Sequence, residues 1–326
     1  MGNNLVTVAI FAALAALPLF AGDYWTGQFT YYLIYGLFAL SLSLVWGYGG
    51  ILCLGQAIFF GTGGYLMAIV TKGMIFPDLT NSYLGLLVAI TGPALLALAL
   101  GWFLFAGRGI GGAYLAIVTL AIAVVLERLM SNWYALGGYN GLLDIPPLDI
   151  GLFGYSYELW DALPTYYVIL AIVVTLFLAL NILTRSSFGL VLTALRNHPD
   201  RLAFFGFSVL QIKLVVFAAS AALAGLSGAL FVTVDGFVSP TLIGFSLSTE
   251  VLIWVAIGGK EMLLAAFLGA LLTRFSEGWL SELFGDFWTL ILGLAFMASV
   301  VLLPRGLIAT PLQALTRRRR PTPPPS

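Results

Sequence analysis

Cysteine, histidine and charge are all scarce in this 326-residue sequence. Cys53 is the single cysteine, so no disulfide can close within the chain. His198 is the single histidine, which leaves no Cys/His cluster for a metal and little material for histidine-based catalysis. No paired carboxylates or ligand sets at suitable spacing mark an enzyme site, so catalytic and metal-binding residues are expected to be absent. Charged residues make up 9% of the chain, against roughly 25% in soluble domains. The 14 basic and 14 acidic residues cancel, and a chain without a basic excess offers no footprint for nucleic acid.

What is abundant is apolar: 61% of the residues are hydrophobic. That composition places the chain in the lipid bilayer, where a helix needs about 20 apolar residues to cross. Runs of this kind give an all-α, polytopic reading with about ten spans: 5–22, 29–46, 51–70, 84–106, 112–130, 165–183, 214–233, 242–259, 262–281 and 287–303. The first run precedes a small-residue stretch as a signal peptide would. "MGNN" lacks the basic start of such a peptide, however, and the expectation is an uncleaved helix.

The charges that remain orient the spans, because short loops rich in Lys and Arg stay in the cytoplasm. Residues 184–213 hold Arg185, Arg196, Arg201 and Lys213 against Asp200 alone, and this loop is expected inside. Residues 131–164 hold Asp144, Asp149, Glu158 and Asp161 with no base, and are expected outside. Ten spans satisfy both loops and put both termini in the cytoplasm, with Lys72 the one charge on the wrong side. Residues 1–308 then form one membrane domain, and 309–326 a basic, proline-rich cytoplasmic tail whose arginines suit anionic membrane lipid.

Nucleotide motifs are matched only superficially. "GRGIGG" at 107–112 has nucleotide-fingerprint glycines but lies between two membrane helices, without the βαβ unit such a site requires. "GGKE" at 258–261 lacks the spacing of a phosphate loop, so no ATP site is expected on this chain. Arg274 and Glu277 fall on one helical face and are expected to pair. Glu250 lies near mid-membrane if its helix begins at Leu242, or caps a half-helix together with Thr249; a pathway role and a capping role both stay open.

"GYGGILCLGQAIFFGTGGY", residues 47–65, carries seven glycines. Glycine in a membrane helix either lets backbones approach closely or breaks the helix beside a polar cavity. Gly49, Gly50, Gln56, Gly61, Gly63 and Gly64 are therefore candidates for a solute path, with Glu250 and Trp254. Residues 136–147, "LGGYNGLLDIPP", read as an ordered outer turn. "FGLVLTALRNHPDRLAFFGF" reads as a pair of short helices with charge crowded between Arg196 and Arg201, and its phenylalanines favour docking on a cytoplasmic protein over a solvated turn.

These segments, with "GGAYLAIVTLAI", "STEVLIWVAIGG" and "LLPRGLI", occur in one order and together resemble the permease subunits of branched-chain amino acid ABC importers. The resemblance covers about residues 40–308 and implies the ABC importer permease fold. It implies a second related permease, two cytoplasmic ATPases that use ATP, an extracytoplasmic substrate-binding protein, a bacterial inner membrane, and no cofactor bound by this chain. It also implies that 184–213 couples to the ATPases, with Phe188, Gly189, Arg196 and Gly206 matching the family pattern and Asp200 and Arg201 in the charged turn. "RNHPDRL" departs from that pattern toward the urea branch of the family, while "AYLAIVTL" leans toward amino acids. An ion-coupled secondary transporter working through Glu250, Arg274 and Glu277 is the alternative of another class, weakened by the absence of a visible internal repeat.

Overall fold

The structure is a computed structural model that describes residues 2–75, 77, 80–107, 112–151, 157–287, 290, 293, 294, 297, 306–310 and 312. Helices are α1 (Gly2–Ala16), α2 (Asp23–Leu42), α3 (Gln56–Thr71), α4 (Ser82–Ala106), α5 (Ala113–Ser131), α6 (Ala162–Arg185), α7 (Ser187–Asn197), α8 (Pro199–Phe204), α9 (Val209–Asp235), α10 (Phe245–Gly258) and α11 (Leu263–Phe284). Among the described residues strand pairing is limited to two isolated bridges, Leu142 with Val238 and Asp149 with Glu158. Among the described residues six helices are long and apolar enough to cross a membrane: α2 with its continuation to Tyr48, α4, α5, α6, α9 and α11.

Three further apolar helices are shorter, and two of them correct the sequence reading. The span expected at 51–70 starts only at Gln56, because α2 runs on through a π-helical turn, Ser43–Tyr48, into an irregular stretch where Gly50 takes φ +70°. The span expected at 242–259 starts at Phe245, after a 3₁₀ turn at Pro240–Ile243. With 14 residues, α10 is only about 21 Å long. Most of expected span 287–303 lies outside the described residues, as do most of "GRGIGG" and the basic tail.

α9 is the hub, packing against α2, α3 and α4. Its sequence "AASAALAGLSGALF" places small residues at helical spacing, and small residues let membrane helices approach to backbone contact. A Cβ on Gly63 of α3 would collide with the backbone of Gly225, and one on Gly228 with the carbonyl of Phe60. Gly225 also meets α4 at Ala89 and Pro93; proline cannot donate to the Ala89 carbonyl, and that free carbonyl faces α9. Two serines of α9 cross to carbonyls of α2: Ser220 Oγ donates to Ser41 O (2.7 Å) and Ser227 Oγ to Ile34 O (2.7 Å). α2 in turn touches α6, α10 and α11.

α7 and α8 form the expected pair of short helices at one end of the bundle, confined to 186–208 because α6 and α9 claim the flanks of the expected loop. The described parts of the acidic segment, 132–151 and 157–161, lie at the opposite end. There Gly137 (φ +83°) and Gly141 (φ +68°) turn the chain, and Leu142 pairs with Val238 beyond the end of α9. Lys72 sits at this end too, its Nζ donating to the carbonyl of Leu143 at 2.5 Å.

The seam generates a stability prediction. Gly63→Val or Gly228→Val drives a branched side chain into a facing backbone and should lower stability by about 3 kcal/mol, the upper part of the overpacking range. Gly278→Ala, with open space around its Cβ, should be neutral or gain up to about 1 kcal/mol. Thermal unfolding midpoints in detergent check both.

Candidate functional site

Two polar constellations interrupt the apolar bundle. One lies where α2 breaks. Backbone groups freed there have no water to bond in hydrocarbon and must find partners in the protein. Ser43 Oγ donates to the carbonyl of Lys260 (3.0 Å), Leu54 N to Thr119 Oγ1 (3.1 Å), and Ala57 N to Ser248 Oγ (3.2 Å). Gln56 opens α3 fully buried, its Nε2 donating to Ser220 Oγ (2.8 Å) and Ser41 Oγ (3.0 Å). Its Oε1 has no hydrogen-bond partner among the described residues.

Arg196 ties the helix pair to this break. Its Nη1 donates to the carbonyl of Gly47 (2.7 Å) and pairs with Glu261 Oε1 (3.1 Å) in the α10–α11 turn. The Arg196 stem packs on Gly50, where a Cβ would stand 2.7 Å from Cγ. Beside it Lys260 Nζ lies 4.8 Å from the centre of the Trp46 ring. Arg196 therefore points into the bundle, whereas Asp200 and Arg201, expected with it in one charged turn, are exposed. Gly189 has no room for a side chain against the Thr184 carbonyl, Gly206 takes φ +85°, and Phe188 is half-buried. Leu192, Leu195 and Leu202 face inward, leaving Phe204 and Phe205 outward at 90% and 81% exposure.

The second constellation joins α10 to α11. Arg274 Nη1 donates to Glu277 Oε2 (2.6 Å), the pairing expected from their spacing, and also to Glu250 Oε2 (3.4 Å). Tyr35 and Trp254 lie against the guanidinium, 4.2 and 5.5 Å from ring centre to Cζ. The expected capping role for Thr249 and Glu250 is not what the structure shows. Gly244 occupies the cap position of α10 without a side-chain hydrogen bond, and Thr249 Oγ1 donates back to the Phe245 carbonyl. Trp254 is fully buried, and its Nε1 has no acceptor among the described residues.

The glycines of 47–65 divide between the two expected uses. Gly49 and Gly50 belong to the break, while Gly61, Gly63 and Gly64 form the seam of α3 with Ile243 and α9. Sequence reasoning missed Gly47, Lys260 and Glu261 as partners of the helix pair and Tyr35 as a partner of Arg274. The spacing of "GGKE" speaks only to a phosphate motif, and nothing in it announces a contact with Arg196.

Removing Arg274 would leave two part-buried carboxylates facing each other. Arg274→Ala should destabilise by about 3 kcal/mol, the lower end of what breaking a buried pair costs. The triple change Glu250→Gln, Arg274→Gln, Glu277→Gln should recover most of it, since no unpaired charge remains. Unfolding midpoints of the single and triple variants decide.

Comparison with known proteins agrees with this architecture. A family model described as the permease component of branched-chain amino acid transport systems matches residues 25–301. The chain is 31% identical over 94% of its length to the high-affinity branched-chain amino acid transport system permease protein LivM of Escherichia coli K12, covering 75% of that protein. It is 22% identical to LivH of Salmonella typhimurium over 85% of this chain and 92% of that one, and 24% identical to BraD of Pseudomonas aeruginosa over the same shares. No solved structure matches the chain. A bundle of apolar helices with a broken, glycine-lined second helix and a family match along most of its length makes this chain a multi-pass membrane protein of the branched-chain amino acid transport permease family.

Proposed function

We propose that this permease forms, with a second related permease, the path by which branched-chain or related amino acids enter across a bacterial inner membrane, driven by two cytoplasmic ATPases and fed by an extracytoplasmic binding protein. The observation that carries the reading is the double grip of Arg196 on the π-helical end of α2 and on the α10–α11 turn. Through it, a push on α7 and α8 reaches the two irregular membrane elements together. The chain supplies movement and passage, and ATP is used by its partners.

The exposed Phe204 and Phe205 suit the ATPase contact, since adjacent large apolar side chains left in water usually mark a partner surface. The second permease is supported by similarity to both LivM and LivH and by the charged edge of α10 and α11. Side chains of Glu250, Arg274 and Glu277 keep 26%, 20% and 22% of their surface open, and charge facing lipid at mid-membrane costs about 3 kcal/mol per group. A companion subunit over that edge removes the cost. The names of the relatives favour amino acids over urea.

Ten crossings with both termini inside accord with the described ends of the chain. α11 starts beside Lys260 at the α7–α8 end, and its Phe275 lies 6.2 Å from Trp25 near the start of α2 at the other. Leu307 is back at the α7–α8 end, its amide donating to Ile257 O at 2.7 Å. A tenth crossing between them is part of this proposal.

In the purified importer, replacing Arg196 and Asp200 together by Ala should abolish most substrate-stimulated ATP hydrolysis, a loss of tenfold or more, and unchanged stimulation would remove the coupling assignment. Phe204→Ser with Phe205→Ser should instead reduce ATPase co-purification with the permeases, measured by subunit stoichiometry after size-exclusion chromatography.

A further inference from the structure

The Glu250–Arg274–Glu277 triad holds more charge than a structural tie needs. One carboxylate, Glu277 at 2.6 Å, already balances the charge of Arg274. Glu250 is held loosely, at 3.4 Å from the guanidinium and 3.3 Å from Ser246 Oγ. At formal charges, two acids and one base leave one negative charge uncompensated in the membrane-spanning part of the chain, an expensive arrangement that ordinarily marks function. Both hydrogen bonds of the guanidinium are made by Nη1, and neither Nε nor Nη2 donates to another described residue. The triad thus presents surplus negative charge and an unused donor edge side by side. Tyr35 and the wholly buried Trp254 back it.

A solute that completes this set must bring a cation for the spare carboxylate and an anion for the free guanidinium edge, close together. An α-amino acid carries both on one carbon, and charge-assisted hydrogen bonds of this kind are stronger and more directional than neutral ones. A neutral amide such as urea brings neither charge.

We propose that Glu250, Arg274 and Glu277 form a station on the transport path for zwitterionic α-amino acids, with the carboxylates receiving the ammonium group and Arg274 the carboxylate. The station rests on the importer reading given above and adds residues and a solute charge pattern to it.

The test uses the complete importer, with companion permease, ATPases and binding protein, in proteoliposomes, and reads L-leucine moved per ATP hydrolysed. Glu250→Gln should lower that ratio tenfold or more, and Glu250→Asp should restore part of it. A ratio within twofold of wild type overturns the station, even where both rates fall together, because a merely structural triad lowers transport and hydrolysis alike. If Glu250→Gln yields no complex, Glu277→Gln is read on the same ratio: a tenfold fall supports the station, and a ratio within twofold of wild type overturns it. A wild-type assembly that moves no leucine overturns the importer reading itself, whereas leucine transport with an indifferent variant overturns only the station.

Discussion

Hydrocarbon offers no hydrogen bonds, and that constraint organises the rest of the structure. A membrane helix that stops or loosens exposes backbone groups that the solvent cannot satisfy. α2 does so at its π-helical turn, and the freed groups and their neighbours are met by Arg196 from the short helix pair, Ser43 to the Lys260 carbonyl, Thr119 from α5 and Ser248 from α10. Satisfying one break therefore draws four separate parts of the chain to one place. A shift in any of them changes the partners of the others.

The bundle divides its labour accordingly. Around α9, glycine and serine bring α2, α3 and α4 into backbone contact, and such close packing leaves little freedom. Along α10 and α11 a short helix that follows a 3₁₀ turn meets a long one, and the two carry the Glu250–Arg274–Glu277 charges beside their apolar packing. Gly258 and Gly269 pack backbone to backbone across that hairpin, and its end is held through Glu261. The seam and the charged edge meet through α2 and α3, which touch both α9 and α10.

Much of this was legible residue by residue. Nine of the ten apolar runs coincide with helices to within a few residues at most boundaries, because burial in lipid demands apolar side chains regardless of topology. The i, i+3 spacing of Arg274 and Glu277 announced their pairing, and the paired short helices after α6 followed from their pattern of leucine and charge. The failures have common causes. The start of α10 was misplaced because Pro240–Ile243 is as apolar as a helix while folding as a 3₁₀ turn. Thr249 looks like a cap in sequence, yet its hydroxyl bonds back within the helix.

From composition and charge alone the chain was bound to a bilayer, with its basic and acidic loops on opposite sides, since both follow from transfer energies of single residues. Which polar group answers which other was settled only by the fold. Glu250 meets Arg274 across 24 positions, Arg196 meets Gly47 across 149, and Ser43 meets Lys260 across 217. A hydrogen bond needs its partners within about 3 Å, and contacts between residues so far apart along the chain are created by the packing of helices, which local sequence does not encode.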